Sequence, residues 1–313
     1  MKKKHIVWII ILVVIILVIV GGIVTRKKTV TLKDDGKLSI VTSFYPLYFF
    51  TLEIAGDKAN VINIMPTGAE PHEYEPTARD IAQIEDSDIL VLNGGGLESW
   101  GDNIKTNLAD KSTEVITAGE GLTTKTFIAD EGDNIGQEVT DPHIWLSPTL
   151  AKQMVDKIEL GIATKDPQNV SYYLENANTL KNKLDTLNEE YKEGLSNCKS
   201  NKIITSHMAF AYLADAYGLE QISIAGLSPD EEPSSKEMTK IVEWAKENNI
   251  KYVFSESLVS PKLSETIASE IGAETMVLNP VAGLTPDEIK AGKNYITEME
   301  TNLSNLQTAL QCN

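Results

Sequence analysis

Short apolar runs rich in β-branched residues alternate along this chain with longer segments whose apolar positions recur every three or four residues. LSIVTS (38–43), NVINIM (60–65), DILVLN (88–93) and EVITA (114–118) predict strands, with helices between them near Pro46 to Ala55, Thr77 to Asp86 and Glu98 to Leu108. The rhythm returns after residue 200. NKIITS (201–206), EQISIAG (220–226), KYVFSE (251–256) and TMVLNP (275–280) predict strands, and helices are expected near Ala209 to Tyr217, Ser234 to Asn248, Pro261 to Ile271 and Gly292 to Leu310. Alternation of this kind predicts an α/β fold: two similar lobes, each a parallel sheet flanked by helices.

Between the two alternating halves lie two helical runs, Ser147 to Thr164 and Asn169 to Asn197. In the second, Tyr173, Ala177, Leu180, Leu184, Leu187 and Tyr191 fall on one face, so a long rigid helix is expected to join the lobes. Ser147 followed by Pro148 reads as an N-cap and first helical position. The polar stretch 119–140, with DEGD at 130–133, reads as a loop. The expected organisation is a linker at 29–37, an N-terminal lobe at 38–146, a helical segment at 147–198 and a C-terminal lobe at 199–313.

Residues 1–28 read as a targeting segment. Lys2, Lys3 and Lys4 precede an apolar run from Ile6 to Val24, closed by Arg26, Lys27 and Lys28. As a helix that run spans about 28 Å, close to a bilayer's hydrocarbon core. No cysteine follows it for lipid attachment, so the expectation is an uncleaved membrane anchor with an exported body; export after cleavage is the alternative. The whole chain has 28 Lys and Arg against 45 Asp and Glu. Six of the basic residues lie in the first 28 positions, which leaves a strongly acidic body with no footprint for nucleic acid. Its two cysteines, Cys198 and Cys312, are an even count in an exported chain and favour a disulfide over two buried free thiols.

Three of the four histidines sit in distinctive settings: His72 in PHEYEP, His143 in DPHIWLSP and His207 in SHMAFAYL. His72 follows the 60–65 strand, His207 follows the 201–206 strand, and His143 closes the long loop. Ligands of open parallel sheets bind beyond the carboxyl ends of strands, so all three can meet in a cleft between lobes. Three neutral imidazoles suit zinc better than hard cations.

These segments, together with SHMAFAYLADAYGL (206–219), AGLSPDEEPSS (225–235) and PHEYEPTARDIAQIEDSDILVLNGGGLESW (71–100), resemble the metal-binding solute receptors of ABC importers, specifically the zinc group. The wider family also holds manganese receptors and streptococcal-type adhesin lipoproteins. The resemblance covers roughly 38–311. It implies a monomeric receptor that captures Zn2+ on His72, His143 and His207 and hands it to an ABC permease with its ATPase, without covalent chemistry. Manganese receptors resemble the chain at the first two histidines but offer carboxylates for the last two ligands. A histidine at 207 therefore favours zinc. Related zinc receptors often supply a glutamate in a sequence like NPxEGL, whereas this chain reads NPVAGL with Ala282 at that place. The fourth position then falls to water or to a carboxylate, with Glu70, Glu73 and Glu256 as candidates; Asp141 is better placed to orient a neighbouring histidine.

Two rival readings remain. An adhesin would share the fold and differ in partners. A zinc hydrolase would use three histidines and a water, but HEYEP carries Pro76 where HExxH needs its second histidine.

Overall fold

The computed structural model describes residues 36–128, 136, 138–231 and 233–313. The expected anchor at 1–28 and the DEGD stretch lie outside the described residues. Among those described, no helix is long and apolar enough to cross a membrane.

Two four-stranded parallel sheets organise the chain. The first contains β1 (Leu38–Thr42), β2 (Ala59–Asn63), β3 (Ile89–Leu92) and β4 (Glu114–Thr117) in the order β2-β1-β3-β4. Its helices are α1 (Tyr45–Ala55), α2 (Ala78–Glu85) and α3 (Gly101–Leu108). The second contains β7 (Lys202–Thr205), β8 (Glu220–Ser223), β9 (Tyr252–Ser255) and β10 (Glu274–Val277) in the order β10-β9-β7-β8. Its helices are α6 (Ala211–Tyr217), α7 (Ser235–Glu247), α8 (Lys262–Ile271), α9 (Pro286–Lys290) and α10 (Tyr295–Leu310). Counted within each lobe, both sheets run second, first, third, fourth. Each therefore has a switch point between its first and third strands, where the chain leaves in opposite directions and opens a crevice at the carboxyl ends.

Between the lobes, α4 (Pro148–Lys165) packs beside α5 (Val170–Gly194). The buried residues of α5 are Tyr173, Ala177, Leu180, Leu184, Leu187 and Tyr191, the face that the spacing predicts. That face meets α1 of the first lobe and α10 of the second, and the Tyr191 hydroxyl donates to the Met299 carbonyl at 2.7 Å. Burial of each large apolar side chain contributes about 1.5–3 kcal/mol, so this helix fastens both lobes to one core. The apolar cluster is continuous from Ile40 in β1 to Leu310 in α10, and a smaller one, including Ile204, Ile241, Val253 and Ile267, fills the other face of the second sheet.

Local chemistry sets several helix starts. Thr77, Ser234 and Thr285 each close a capping box with the acid three residues on, Asp80, Glu237 and Glu288. Helix α4 begins at Pro148 with Ser147 as its cap residue, but the Ser147 side chain makes no capping bond.

One sequence expectation needs correction. The stretch 119–140 contains a two-stranded antiparallel hairpin of β5 (Thr126–Ile128) and β6 (Glu138–Thr140), with Phe127 opposite Val139. Cys198 lies just after α5 and Cys312 just after α10, and their sulfur atoms are placed at bonding distance. Backbone bonds from Lys199 N to Leu310 O and from Asn313 N to Asn197 O run beside the pair.

Candidate metal centre

His72 follows β2 on a proline-bracketed loop, His207 follows β7, and His143 ends the segment after the hairpin. Three distant parts of the chain thus deliver one imidazole each. The Nε2 of His143 lies 3.1 Å from that of His72 and 3.3 Å from that of His207. Among the described residues these three form the group whose ligand atoms all lie within 4.8 Å of one another. A tetrahedral zinc with Zn–N bonds of about 2.05 Å separates its ligand atoms by about 3.3 Å, so the spacing matches.

The other ring nitrogens define the tautomers. Asp141 Oδ1 sits 2.8 Å from Nδ1 of His143, and Glu256 Oε1 sits 2.6 Å from Nδ1 of His207. A carboxylate can only accept, so each ring donates its Nδ1–H and turns the Nε2 toward the common centre. Both pairs are buried, with His143 and His207 each 1% exposed. Two lone pairs held this close repel each other unless a cation or proton lies between them.

Burial, and then the neighbouring imidazoles, hold His72 and His143 well below the usual imidazole range. Burial opposes the charge on His207 most strongly of any single influence, but the carboxylates around it, Glu256 first and then Glu70 and Asp141, together make the net direction up. Burial lifts both Glu70 and Asp141 to about 7.

The remaining candidate carboxylates separate by position. Glu70 Oε1 lies 4.0 Å from His72 Nε2, and its side chain is 10% exposed. Glu73 is exposed and its acidity is weakened by a hydrogen bond to Asp230 rather than by the histidines. Ala282 is buried in the loop after β10; a Cβ on the next residue, Gly283, would lie 3.5 Å from the Ala69 carbonyl. That loop therefore runs beside the segment that carries Glu70.

Supporting residues hold the His143 segment from both lobes. Tyr212 donates to the Asp141 carbonyl at 3.1 Å, Asn93 Nδ2 to the Pro142 carbonyl at 3.0 Å, and Trp145 Nε1 to the Pro280 carbonyl at 2.7 Å. Tyr295 donates to the Trp145 carbonyl, and Phe44 meets the indole edge-on at 4.7 Å. The sequence assigns nothing to Asn93, Tyr212 or Tyr295, whose partners are remote along the chain. A cavity of about 730 Å³ opens beside His72, between Gly95 and Gly96 of one lobe and Met208 and Trp244 of the other. It gives the centre a route to solvent.

The sequence model of the periplasmic component A of the zinc-uptake complex, ZnuA, matches residues 40–309. The chain belongs to the ZnuA family. It is 39% identical over 280 residues to the high-affinity zinc uptake system protein ZnuA of Bacillus subtilis, a match that covers 88% of each chain. It is 42% identical over 279 residues to the zinc-binding lipoprotein AdcA of Streptococcus pneumoniae, covering 87% of this chain and 56% of that protein. The chain thus spans about half the length of AdcA. The crystal structure of the Zn(II)-bound ZnuA-like domain of pneumococcal AdcA superposes with a TM-score of 0.75 at 40% identity, over 88% of this chain and 99% of the domain. The ZnuA fold is thus that of the two sheets and linking helix described above.

Proposed function

We propose that this protein is an extracytoplasmic zinc receptor that captures Zn2+ between its lobes and delivers it to an ABC permease and ATPase. The observation that carries the reading is the convergence of three Nε2 atoms, two of them turned inward by carboxylates on Nδ1. That arrangement is a soft nitrogen site for a cation, and nitrogen donors favour zinc over manganese. His72, His143 and His207 are the ligands in this reading, and Glu70 closes the fourth position after a side-chain swing toward His72. Asp141 and Glu256 each already give one oxygen to a ring nitrogen and Glu73 faces Asp230, whereas Glu70 lies 4.0 Å from His72 Nε2 and has only a long 3.4 Å bond from the His72 backbone N–H to give up. The protein performs no covalent chemistry in this role.

The lobes at 38–146 and 199–313 act as the two walls of the trap, with the helices of 147–198 as its spine. The receptor works as a monomer, held at the membrane by its N-terminal segment, with Cys198 and Cys312 bridged. Metal analysis of protein equilibrated with equal zinc and manganese tests the function. One equivalent of zinc with manganese excluded is expected; preferential manganese uptake would overturn it.

A further inference from the structure

The two lobes use their switch points differently. In the second, the residues beyond the first and third strands supply the site directly, since His207 lies two positions past β7 and Glu256 one past β9. In the first lobe the equivalent places, just past β1 and β3, are taken by Ser43 and Asn93. Neither reaches the three imidazoles. Glu98 ties them together instead: its Oε1 accepts from the Ser43 hydroxyl at 2.6 Å and the Asn93 amide at 2.8 Å, and its Oε2 accepts from the Gly94 amide at 2.9 Å.

Asn93 is 0% exposed, and its Nδ2 donates to the carbonyl of Pro142 at 3.0 Å, as well as to that of Gly94. The Pro142 carbonyl belongs to the same peptide group as the His143 N–H, which in turn donates to Asp141 Oδ1 at 2.9 Å. One planar group is therefore gripped at both ends, and the plane sets the direction in which the His143 side chain leaves the backbone. The glycines that follow support the grip. Gly94, Gly95 and Gly96 all have positive φ, and a Cβ on Gly95 would approach Thr123 Cγ2 to 2.7 Å and Pro142 Cα to 3.5 Å. The backbone of this turn lies directly behind Pro142.

We propose that Asn93 is a positioning residue for His143, with Glu98 as the clamp that fixes Asn93, so that the first lobe's switch point aims a metal-binding imidazole it does not itself carry. This inference rests on the reading of His143 as a ligand. It accounts for a half-buried carboxylate, a buried side-chain amide and a three-glycine turn that packing alone leaves without a task.

The test uses Asn93→Asp, which keeps the volume but replaces the donor to Pro142 with an acceptor, alongside Asn93→Ala and His143→Ala. Zinc affinity is measured by chelator competition, and the geometry of the centre by the visible absorption of bound Co2+. Partners that orient a metal-binding histidine typically matter on the order of tenfold in affinity. Both Asn93 variants are expected to lose about that much, with a displaced Co2+ band, while His143→Ala loses far more. If His143→Ala binds zinc normally, the reading of the centre itself fails. If His143→Ala loses zinc but the Asn93 variants keep their affinity and Co2+ spectrum, positioning is refuted, even where their melting temperature has dropped. Should neither Asn93 variant fold, Glu98→Gln, which puts a donor against the backbone N–H groups, decides by the same two readouts.

Discussion

Glu256, one residue beyond β9, reaches across to His207, two residues beyond β7, and places Oε1 2.6 Å from its Nδ1. The pair spans the switch point of the second sheet, so the fold itself brings the carboxylate to the ring. His143 obtains the same support locally, from Asp141 two residues earlier.

The first prediction concerns these two carboxylates. Glu256→Gln and Asp141→Asn keep the shapes but weaken the acceptors that fix the tautomers. Each is expected to reduce zinc affinity about tenfold to a hundredfold without removing binding. Chelator competition measures this. Unchanged affinity in both variants would show that the ring orientations are held by packing alone.

The second concerns stability. A metal that binds only the folded chain, present at about 1,000 times its dissociation constant, adds about 4 kcal/mol to unfolding. His143→Ala and His207→Ala are expected to lose most of that zinc-induced rise in melting temperature. Each also leaves a buried carboxylate without its ring partner, so the metal-free midpoint should fall as well. The quantity to compare is therefore the shift on adding zinc. A full shift in both variants would remove these residues from the centre.

How much of this was legible in the sequence depended on the range of each signal. The apolar face of α5 was legible because six residues repeat one period across a long helix, and they are the ones buried. The β5–β6 hairpin was not, because its strands are three residues each, too short for alternation to register beside an acidic stretch. Helix α9, five residues long, escaped for the same reason. The three histidines were visible as motifs. Asp141, two residues before His143, was legible as an orienter, but a carboxylate remote in sequence reads equally as ligand or as orienter until its distance to Nδ1 is known, which is why Glu256 and Glu70 could be separated only by geometry. Asn93 lies in a segment that carries the family resemblance, but its role had no signal, since its partner Pro142 lies 49 residues away.

The third prediction follows from the protons at the centre. Against burial, the Glu256, Glu70 and Asp141 carboxylates together hold His207 above the ordinary imidazole range, and burial lifts Asp141 and Glu70 to about 7. Zinc needs the Nε2 lone pair of His207 and favours ionised carboxylates, so it displaces protons on binding. The sign is that affinity falls as pH falls, and the number of protons released per zinc grows as the pH is lowered from about 8 to about 6. Calorimetry in buffers of different ionisation enthalpy counts them. Uptake with no proton release across that interval would contradict the assignment.

A fourth concerns Cys198 and Cys312, separated by 114 residues. A bridge closing a loop of that size constrains the unfolded chain by about 4–5 kcal/mol in the chain-entropy model, an upper value because the unfolded chain retains structure. Intact-mass analysis after alkylation without reductant is expected to find no labelled thiol in protein made in an oxidising compartment. Two labels would refute the bridge.

The last prediction concerns the fourth donor. Glu70 is nine-tenths buried and its Oε1 lies 4.0 Å from His72 Nε2, about 0.7 Å beyond the separation of two ligand atoms on a tetrahedral zinc. On that basis Glu70→Gln should weaken zinc binding about tenfold or more and speed release, while Glu73→Gln, at an exposed site facing Asp230, should change little. Ala282 lies in the loop that runs beside the Glu70 segment, so an acid placed there approaches the same corner of the centre. Ala282→Glu in the Glu70→Gln background is therefore expected to recover affinity and slow release. If Glu70→Gln binds and releases zinc like the parent, the fourth position belongs to water, and three imidazoles alone hold the metal.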